Sequence, residues 1–340
     1  MPDDWFGDAR TIDQRLRRPL TRGEVFALVL CVAIALLFLW VRIDNGGAYY
    51  DLSLYLNASR GEFYTFFYGN WILPLFWLLS FLPIVLSHTL WSLLNIAAVF
   101  FAARVFGGNV TFALVSFQML YSLIYGQITG LIVGSVALMY WAAAHERWYL
   151  AGLGLILAVT KYQLGLFPVV AIWLLVDTSW KNRLKMLVVP VMLVASSFLF
   201  YGNWVADALA RWAVAPSDAQ ASVALWRWLG FFALGLWLPP LLSRVTRRER
   251  FIWILAANAL AVPYFQQADL VLLWTMPIGA IALLGNLGYV FFVGRFPALQ
   301  ILAVVPLIVY VKMLAPRAQA LFARVSRKPI STMEDSHDRT

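Results

Sequence analysis

The sequence predicts an all-α, polytopic membrane protein with about 10 to 12 transmembrane helices, given a hydrocarbon layer of roughly 30 Å. Hydrophobic residues make up 62% of the 340 residues, charged residues only 13%, and the mean hydropathy is +0.76. Uncharged runs recur along the chain, and no insert between them is long enough to fold alone. We therefore predict one membrane domain over residues 24–315, a basic cytoplasmic tail over 1–23 and a disordered cytoplasmic tail over 316–340.

The first predicted span covers the uncharged residues 25–41. Five arginines precede it, namely Arg10, Arg15, Arg17, Arg18 and Arg22. Because an excess of Arg and Lys marks the cytoplasmic side, the N-terminus is expected inside the cell and residues 44–70 outside. This first extracytoplasmic loop contains Asp51 and is expected to carry an interfacial helix.

Later runs are too long for single crossings, and basic loops constrain how they divide. Run 71–103 divides at Pro83, and run 105–144 divides at residues 126–130. The basic loops around residues 181–185 and 244–250 and the C-terminal tail are expected to be cytoplasmic. An odd number of crossings must then separate Asp51 from Lys181. Segment 110–144 or 149–177 is therefore a broken or re-entrant element or one long helix, which indicates Gln127 or Lys161 as a cavity residue.

Four polar residues stand out, and each has a functional and a structural interpretation. Asp51 is either a reactive carboxylate or an ordinary solvated one, and Lys161 either a buried functional cation or a lysine that snorkels to the interface. Gln127 either lines a cavity or makes a helix–helix hydrogen bond. Asp269 either shares the outer site with Asp51 or caps a helix at the interface.

Other site chemistries are absent from the sequence. It has no phosphate-cradling glycine loop, nucleophile elbow or paired-cysteine motif, and Cys31 is its single cysteine. His145 and Glu146 lack partners at ligand spacing, so no metal site is predicted, although the sequence does not decide whether a divalent metal assists. The net charge of +9 fits basic loops beside anionic membrane lipid, and no pattern indicates nucleic acid.

Several motifs in the same order resemble a known family. They are the acidic stretch from Asp51 to Tyr64, the segments 70–75, 82–83 and 91–95, Gly126-Gln127, the glycines before Lys161, and the segment from Pro263 through Asp269 to Pro277. Their order and spacing are similar to those of the polyprenol-phosphate-sugar-dependent membrane glycosyltransferases of the GT-C fold. The closest similarity is to the mannosyltransferase-like family 87.

The resemblance implies an inverting glycosyltransferase of class EC 2.4 in the plasma membrane, working in the cell envelope on the extracytoplasmic face. A sugar, with mannose favoured, would pass from a polyprenyl-phosphate donor to a hydroxyl of a glycan, glycolipid or other acceptor. Loop 44–70 would be the catalytic loop. No cofactor beyond the lipid-linked donor is implied.

The resemblance also implies roles for individual residues. Asp51 would be the catalytic base, because a carboxylate can accept the proton of the attacking hydroxyl. Lys161, with Arg60 or Arg211, would bind the donor phosphate. The substrates would be positioned by Gln127, Asp269, Gln267 and Tyr55.

Two other classes of function are considered. A transporter or flippase of a lipid-linked or polar solute would also use broken helices and buried ionisable groups. However, the neighbourhoods of Asp51 and Gln127 do not recur in the second half of the sequence, as an internal repeat would require. The third class is a non-catalytic assembly subunit, in which Asp51 and Lys161 would have no function in common.

Overall fold

The computed structural model describes residues 5–44, 50–63, 66–214, 222–293 and 302–326, so parts of loop 44–70 and of the C-terminal tail lie outside it. The secondary structure of these residues is helical apart from an isolated bridge between Ser222 and Gln266. This confirms the all-α class. The α-helices are α1 (Ala9–Arg17), α2 (Arg22–Asp44), α3 (Tyr50–Ser59), α4 (Leu73–Ser80), α5 (Ile84–Phe106), α6 (Val110–Val115), α7 (Phe117–Tyr125), α8 (Thr129–Ala144), α9 (Trp148–Val159), α10 (Tyr162–Leu175), α11 (Trp180–Tyr201), α12 (Trp204–Val214), α13 (Trp226–Leu229), α14 (Leu238–Leu242), α15 (Arg247–Ala261), α16 (Val271–Trp274), α17 (Leu287–Val293) and α18 (Val304–Ser326).

Among the described residues, three helices are long and apolar enough to cross a membrane. They are α2, α5 and α11, and the bent pair α7 and α8 would add a fourth span. Several shorter helices are also apolar, including α9, α10 and part of α18. This composition confirms a polytopic membrane protein, while the total of 10 to 12 crossings stays a prediction.

The predicted basic tail contains α1, which packs on the membrane helices. Trp5 and Phe6 are buried against Phe106, Tyr140 and Phe251. Their rings stand mostly edge to face, a favourable arrangement for aromatic groups. At least residues 5–18 therefore form part of the packed structure.

A buried arginine joins this N-terminal segment to α5. Arg104 donates to the carbonyl oxygens of Arg15 at 2.7 Å and Arg18 at 2.8 Å, and it pairs with Glu24 at 2.9 Å. Both charged side chains are almost fully buried. The carbonyl oxygens that accept from Arg104 are among those that the end of α1 leaves without helical donors.

Helices α5, α8, α9 and α11 pack closely because small residues line their contacts. A Cβ atom on Gly134 would lie 2.6 Å from Ala98 of α5, and one on Gly154 would lie 2.5 Å from the backbone of α8 at Met139. Such small residues let membrane helices approach closely. This packing forms the rigid frame in which two helix breaks are held.

The breaks lie where the charge distribution of the sequence indicated an interrupted element. Between α7 and α8 the chain turns by 118°, and Gly126 ends α7 with a left-handed φ of 64°. Between α9 and α10 it breaks at Thr160 and Lys161. The two segments between which the crossing number left a choice, 110–144 and 149–177, are thus both interrupted, at Gln127 and at Lys161.

A single methyl group at Gly165 is expected to disturb the second break. The Cβ of Gly165→Ala would lie 2.0 Å from the backbone oxygen of Ala158, so α9 and α10 would have to separate. Overpacking of this kind destabilises by about 1–3 kcal/mol. Thermal unfolding in detergent should show a lower midpoint, whereas Gly235→Ala, whose Cβ meets nothing within 4 Å, should unfold like the wild type. Equal midpoints for all three proteins would contradict this packing.

Candidate functional site

The centre of the candidate site is a buried ion pair between Lys161 and Asp269. Nζ of Lys161 lies 2.5 Å from Oδ1 of Asp269, and the two side chains are 1% and 0% exposed. Nζ also donates to Oγ1 of Thr129 and to Oε1 of Gln266, each at 3.2 Å. The three ammonium protons therefore all have acceptors, as a buried lysine requires.

Asp269 is held in place by the 3₁₀ helix Gln267–Leu270. Its second oxygen, Oδ2, accepts from the backbone N–H of Gln266 at 3.2 Å, which forms half of a capping box. Asp269 is thus both a helix cap and the partner of Lys161. The cap fixes the direction of the carboxylate, and the ion pair offsets the cost of burying its charge.

Thr129 and Gln127 extend this cluster from the first helix break. The hydroxyl of Thr129, the first residue of α8, lies 3.1 Å from Oδ1 of Asp269 and 3.3 Å from Oε1 of Gln127. Nε2 of Gln127 donates to Oε1 of Gln266 at 3.3 Å. Residues from both breaks and from the 3₁₀ helix therefore share one hydrogen-bond network.

Asp51 lies at the edge of this network. It belongs to α3, beyond the end of the first span, and its side chain is half-buried. Burial raises the pKa of the Asp51 carboxyl to about 6, while the charge of Lys161 and a hydrogen bond with Gln127 act in the opposite direction. Of the groups in the network, this carboxylate combines access to solvent with a pKa near neutrality, which suits a general base.

Aromatic side chains surround the carboxylate. Tyr55, one turn further along α3, is buried and contacts the ring of Tyr68 at 5.6 Å. Tyr121 is half-buried and hydrogen-bonds with Gln267, and both Tyr68 and Tyr121 lie within the electrostatic range of Asp51. Burial raises the pKa of Tyr68, so its hydroxyl is neutral. Tyrosine combines an apolar ring face with a polar tip, and both are useful beside a sugar ring.

The two arginines predicted to bind phosphate have backbone carbonyls as hydrogen-bond partners. Arg60 is exposed and donates to the carbonyl of Ser80 at 2.9 Å. Arg211, on α12, lies over the ring of Phe63 and donates to the carbonyl of Phe66 at 3.4 Å. In the hydrogen bonds of the described residues, neither guanidinium contacts Lys161 or Asp269.

Asp51, Gln127, Lys161 and Asp269, which the sequence analysis singled out, are therefore brought together, with Tyr55 and Gln267 beside them. The sequence analysis did not identify Thr129 and Gln266. Thr129 lies two residues after Gln127 at the first helix break, and Gln266 directly precedes Gln267, so nearness to a predicted residue is the signal that could have found them.

The comparison with protein families gives a match. The family model described as "Glycosyltransferase family 87" matches residues 66–284, which is more than half of the chain. No curated protein and no solved structure matches. The matched range contains Gln127, Thr129, Lys161 and Asp269, whereas Asp51 precedes it.

Proposed function

The chain belongs to glycosyltransferase family 87, and from this membership we propose that it transfers a sugar, with mannose favoured, from a polyprenyl-phosphate donor to an acceptor hydroxyl. Transfer of a glycosyl group, class EC 2.4, follows from the family itself. The lipid-linked donor is proposed because the site lies among membrane helices and because the sequence motifs resemble those of polyprenol-phosphate-sugar-dependent enzymes.

The observation that carries the proposal is the position of Asp51 beside the buried pair of Lys161 and Asp269. The acceptor oxygen would form a bond to the anomeric carbon of the sugar while the bond from that carbon to the phosphate oxygen breaks. The hydroxyl proton would pass to Asp51, and the bonding electrons would leave with the lipid phosphate. One base and no covalent intermediate imply inversion at the anomeric carbon.

The departing phosphate needs a cation to offset its developing charge, and such electrostatic stabilisation is often the largest catalytic term. We assign this role to Lys161. Its pair with Asp269 can persist while a phosphate oxygen replaces one of its neutral acceptors, Thr129 or Gln266. Arg211 or Arg60 would contact the phosphate only after moving from its present carbonyl partner.

The other assignments follow from the same network. Asp269, Gln127, Gln267 and Tyr55 would position the sugar hydroxyls or the groups that contact them. We place the reaction on the extracytoplasmic face of the plasma membrane, because Asp51 follows the first span and the N-terminal arginines favour a cytoplasmic start.

Mass spectrometry of lipids that co-purify with the protein tests the donor class. We expect a polyprenyl phosphate, free or carrying a hexose, to be retained by the wild type and largely lost from Lys161→Met. Addition of synthetic polyprenyl-phosphate mannose should displace the retained lipid, whereas a nucleotide-linked mannose should not. Equal displacement by both, or selective displacement by the nucleotide sugar, would contradict a lipid-linked donor.

Turnover should depend on pH through Asp51. A base acts only when ionised, and the folded-state pKa of Asp51 is raised to about 6. Turnover should therefore fall as the pH drops through about 6 and level off above it. A pH profile of initial rates at saturating donor measures this limb. A profile that is flat between pH 5 and 8, which brackets that value, would contradict Asp51 as the base.

A further inference from the structure

We propose that helix α1 carries a binding site for the phosphate group of an anionic membrane lipid. The site is a groove of about 640 Å³ that is lined by Arg10, Arg17 and Arg18 of α1 and by His145, which follows the last residue of α8. Its volume lies within the range of small-ligand sites, roughly 300–1,000 Å³. The groove contains none of the residues assigned to sugar transfer, and α1 lies outside the range that the family model matches.

The groove is lined by one face of α1. Arg10, Asp13, Gln14 and Arg17 follow one another at spacings that place their side chains on the same side of a helix. The opposite face carries Ile12, which is fully buried. Arg10 and Arg17 are exposed, and in the described part of the chain neither forms an ion pair with a carboxylate. Their charges can therefore bind an anion that comes from outside the chain.

Contacts on two sides hold α1 in place, so the groove exists before any ligand binds. Nε2 of His145 lies 3.0 Å from Oδ1 of Asp13, which ties α1 to the end of α8. Arg104 of α5 donates to the carbonyl oxygens of Arg15 and Arg18 at the end of α1. A site formed in advance loses less conformational freedom on binding.

The groove lies at the level of the lipid phosphates. Arg18 at its rim pairs with Glu24 at 2.6 Å, and Glu24 belongs to the first turn of α2. The candidate membrane span of α2 is Arg22–Val41, so this ion pair marks the end of the span. The headgroup layer adds roughly 5–8 Å to each side of the hydrocarbon core. The arginines therefore lie within reach of lipid headgroups, on whichever side of the membrane the span begins.

The charges in the groove determine what it binds. A guanidinium is always charged and donates two parallel N–H bonds to a phosphate. Arg10 and Arg17 are two helical turns, about 10 Å, apart along α1, and two long side chains can close that distance around one phosphate. Asp13 lies between them and is the acid among the lining residues. Because its carboxylate repels an anion, its removal should strengthen binding, which is the opposite of the effect expected from the arginines.

The test is photo-crosslinking with a phosphatidylglycerol that carries a diazirine in its headgroup. The full-length protein in detergent would be titrated with this lipid, and peptide mass spectrometry would locate the crosslinks. We expect saturable crosslinks within residues 9–18, and unlabelled phosphatidylglycerol should compete for them. Phosphatidylethanolamine has no net charge and glycerol phosphate has no acyl chains, so both should compete much more weakly.

Charge variants test the groove itself. Arg10→Gln and Arg17→Gln should each raise the midpoint concentration of crosslinking about 5-fold, the contribution of one basic side chain beside an anionic membrane surface. Asp13→Asn can still accept from His145 but has no charge, so its midpoint should fall by about 2-fold to 5-fold. Arg244→Gln makes the same change at an exposed arginine outside the groove and should keep the wild-type midpoint.

An absence of crosslinks within residues 9–18, or unchanged midpoints in both groove variants, would overturn the proposal. An equal change in Arg244→Gln would indicate a diffuse basic surface and would overturn it too, as would an unchanged or higher midpoint in Asp13→Asn. Glycerol phosphate that competed as strongly as phosphatidylglycerol would assign the groove to a soluble phosphate instead of a lipid. Sugar transfer plays no part in this experiment, so the lipid site and the proposed function can fail separately.

Discussion

Asp51→Asn is expected to lower turnover by about 10² to 10⁴-fold, the contribution typical of a general base. The amide has the size of the carboxylate and can still hydrogen-bond with Gln127, but it cannot accept the proton of the acceptor hydroxyl. The loss should therefore fall on turnover while donor binding changes little. Initial rates and donor binding of the purified variant, measured in the same detergent, give the two quantities.

The control for this change is Asp207→Asn. Asp207 is exposed on α12, so its replacement should leave both quantities at the wild-type level. The acid limb of the pH profile should also disappear from the residual activity of Asp51→Asn. If Asp51→Asn kept more than about a tenth of wild-type turnover, Asp51 would not be the general base.

Lys161→Met is expected to produce the largest loss of stability. It leaves the carboxylate of Asp269 buried without its partner, and breaking a buried ion pair in this way costs about 3–5 kcal/mol. Thermal unfolding in detergent measures the loss. Lys185→Met is the control, because Lys185 is only half-buried and bonds the neutral side chain of Asn182.

The double variant Lys161→Met, Asp269→Leu separates the charge effect from lost packing. With both charges gone, most of the lost stability should return, since an apolar pair of similar volume is often as stable as a buried ion pair. Donor binding should not return, because the phosphate would still lack its cation. A double variant as unstable as Lys161→Met would contradict this explanation of the loss, and one that bound donor normally would exclude Lys161 as the phosphate ligand.

The membrane class and the helix breaks could be predicted from sequence because both depend on local composition and charge. Uncharged runs indicate spans, and the basic loops constrain the side on which each span ends. The odd number of crossings required between Asp51 and Lys181 implied an interruption. The structure interrupts both candidate segments, at Gln127 and at Lys161, while the odd number of crossings stays a prediction.

The hydrogen-bond network itself could not be predicted, because it joins residues far apart in the chain. Thr129 and Asp269, for example, are separated by 140 positions. Thr129 and Gln266 are ordinary polar residues whose partners appear only when the helices pack. The roles assigned to the predicted site residues stay predictions.

The N-terminal segment shows a different limit of sequence analysis. Its arginines indicate a cytoplasmic tail, but charge alone does not tell a solvated arginine from a buried one. Arg104 of α5, which packs against this segment, is 2% exposed because the end of α1 presents backbone carbonyls to it and Glu24 supplies the opposite charge. These partners come from tertiary packing, which no local pattern reveals.

The anomeric configuration of the transferred sugar tests the central claim most directly. Purified protein would be given polyprenyl-phosphate mannose of known configuration labelled with ¹³C at the anomeric carbon, together with a hydroxyl acceptor, and the new linkage would be determined by NMR. Direct displacement assisted by the single base Asp51 requires the product to have the opposite configuration, and Asp51→Asn should form it about 10² to 10⁴-fold more slowly. A product that retained the donor's configuration would exclude a single direct displacement and would contradict the account.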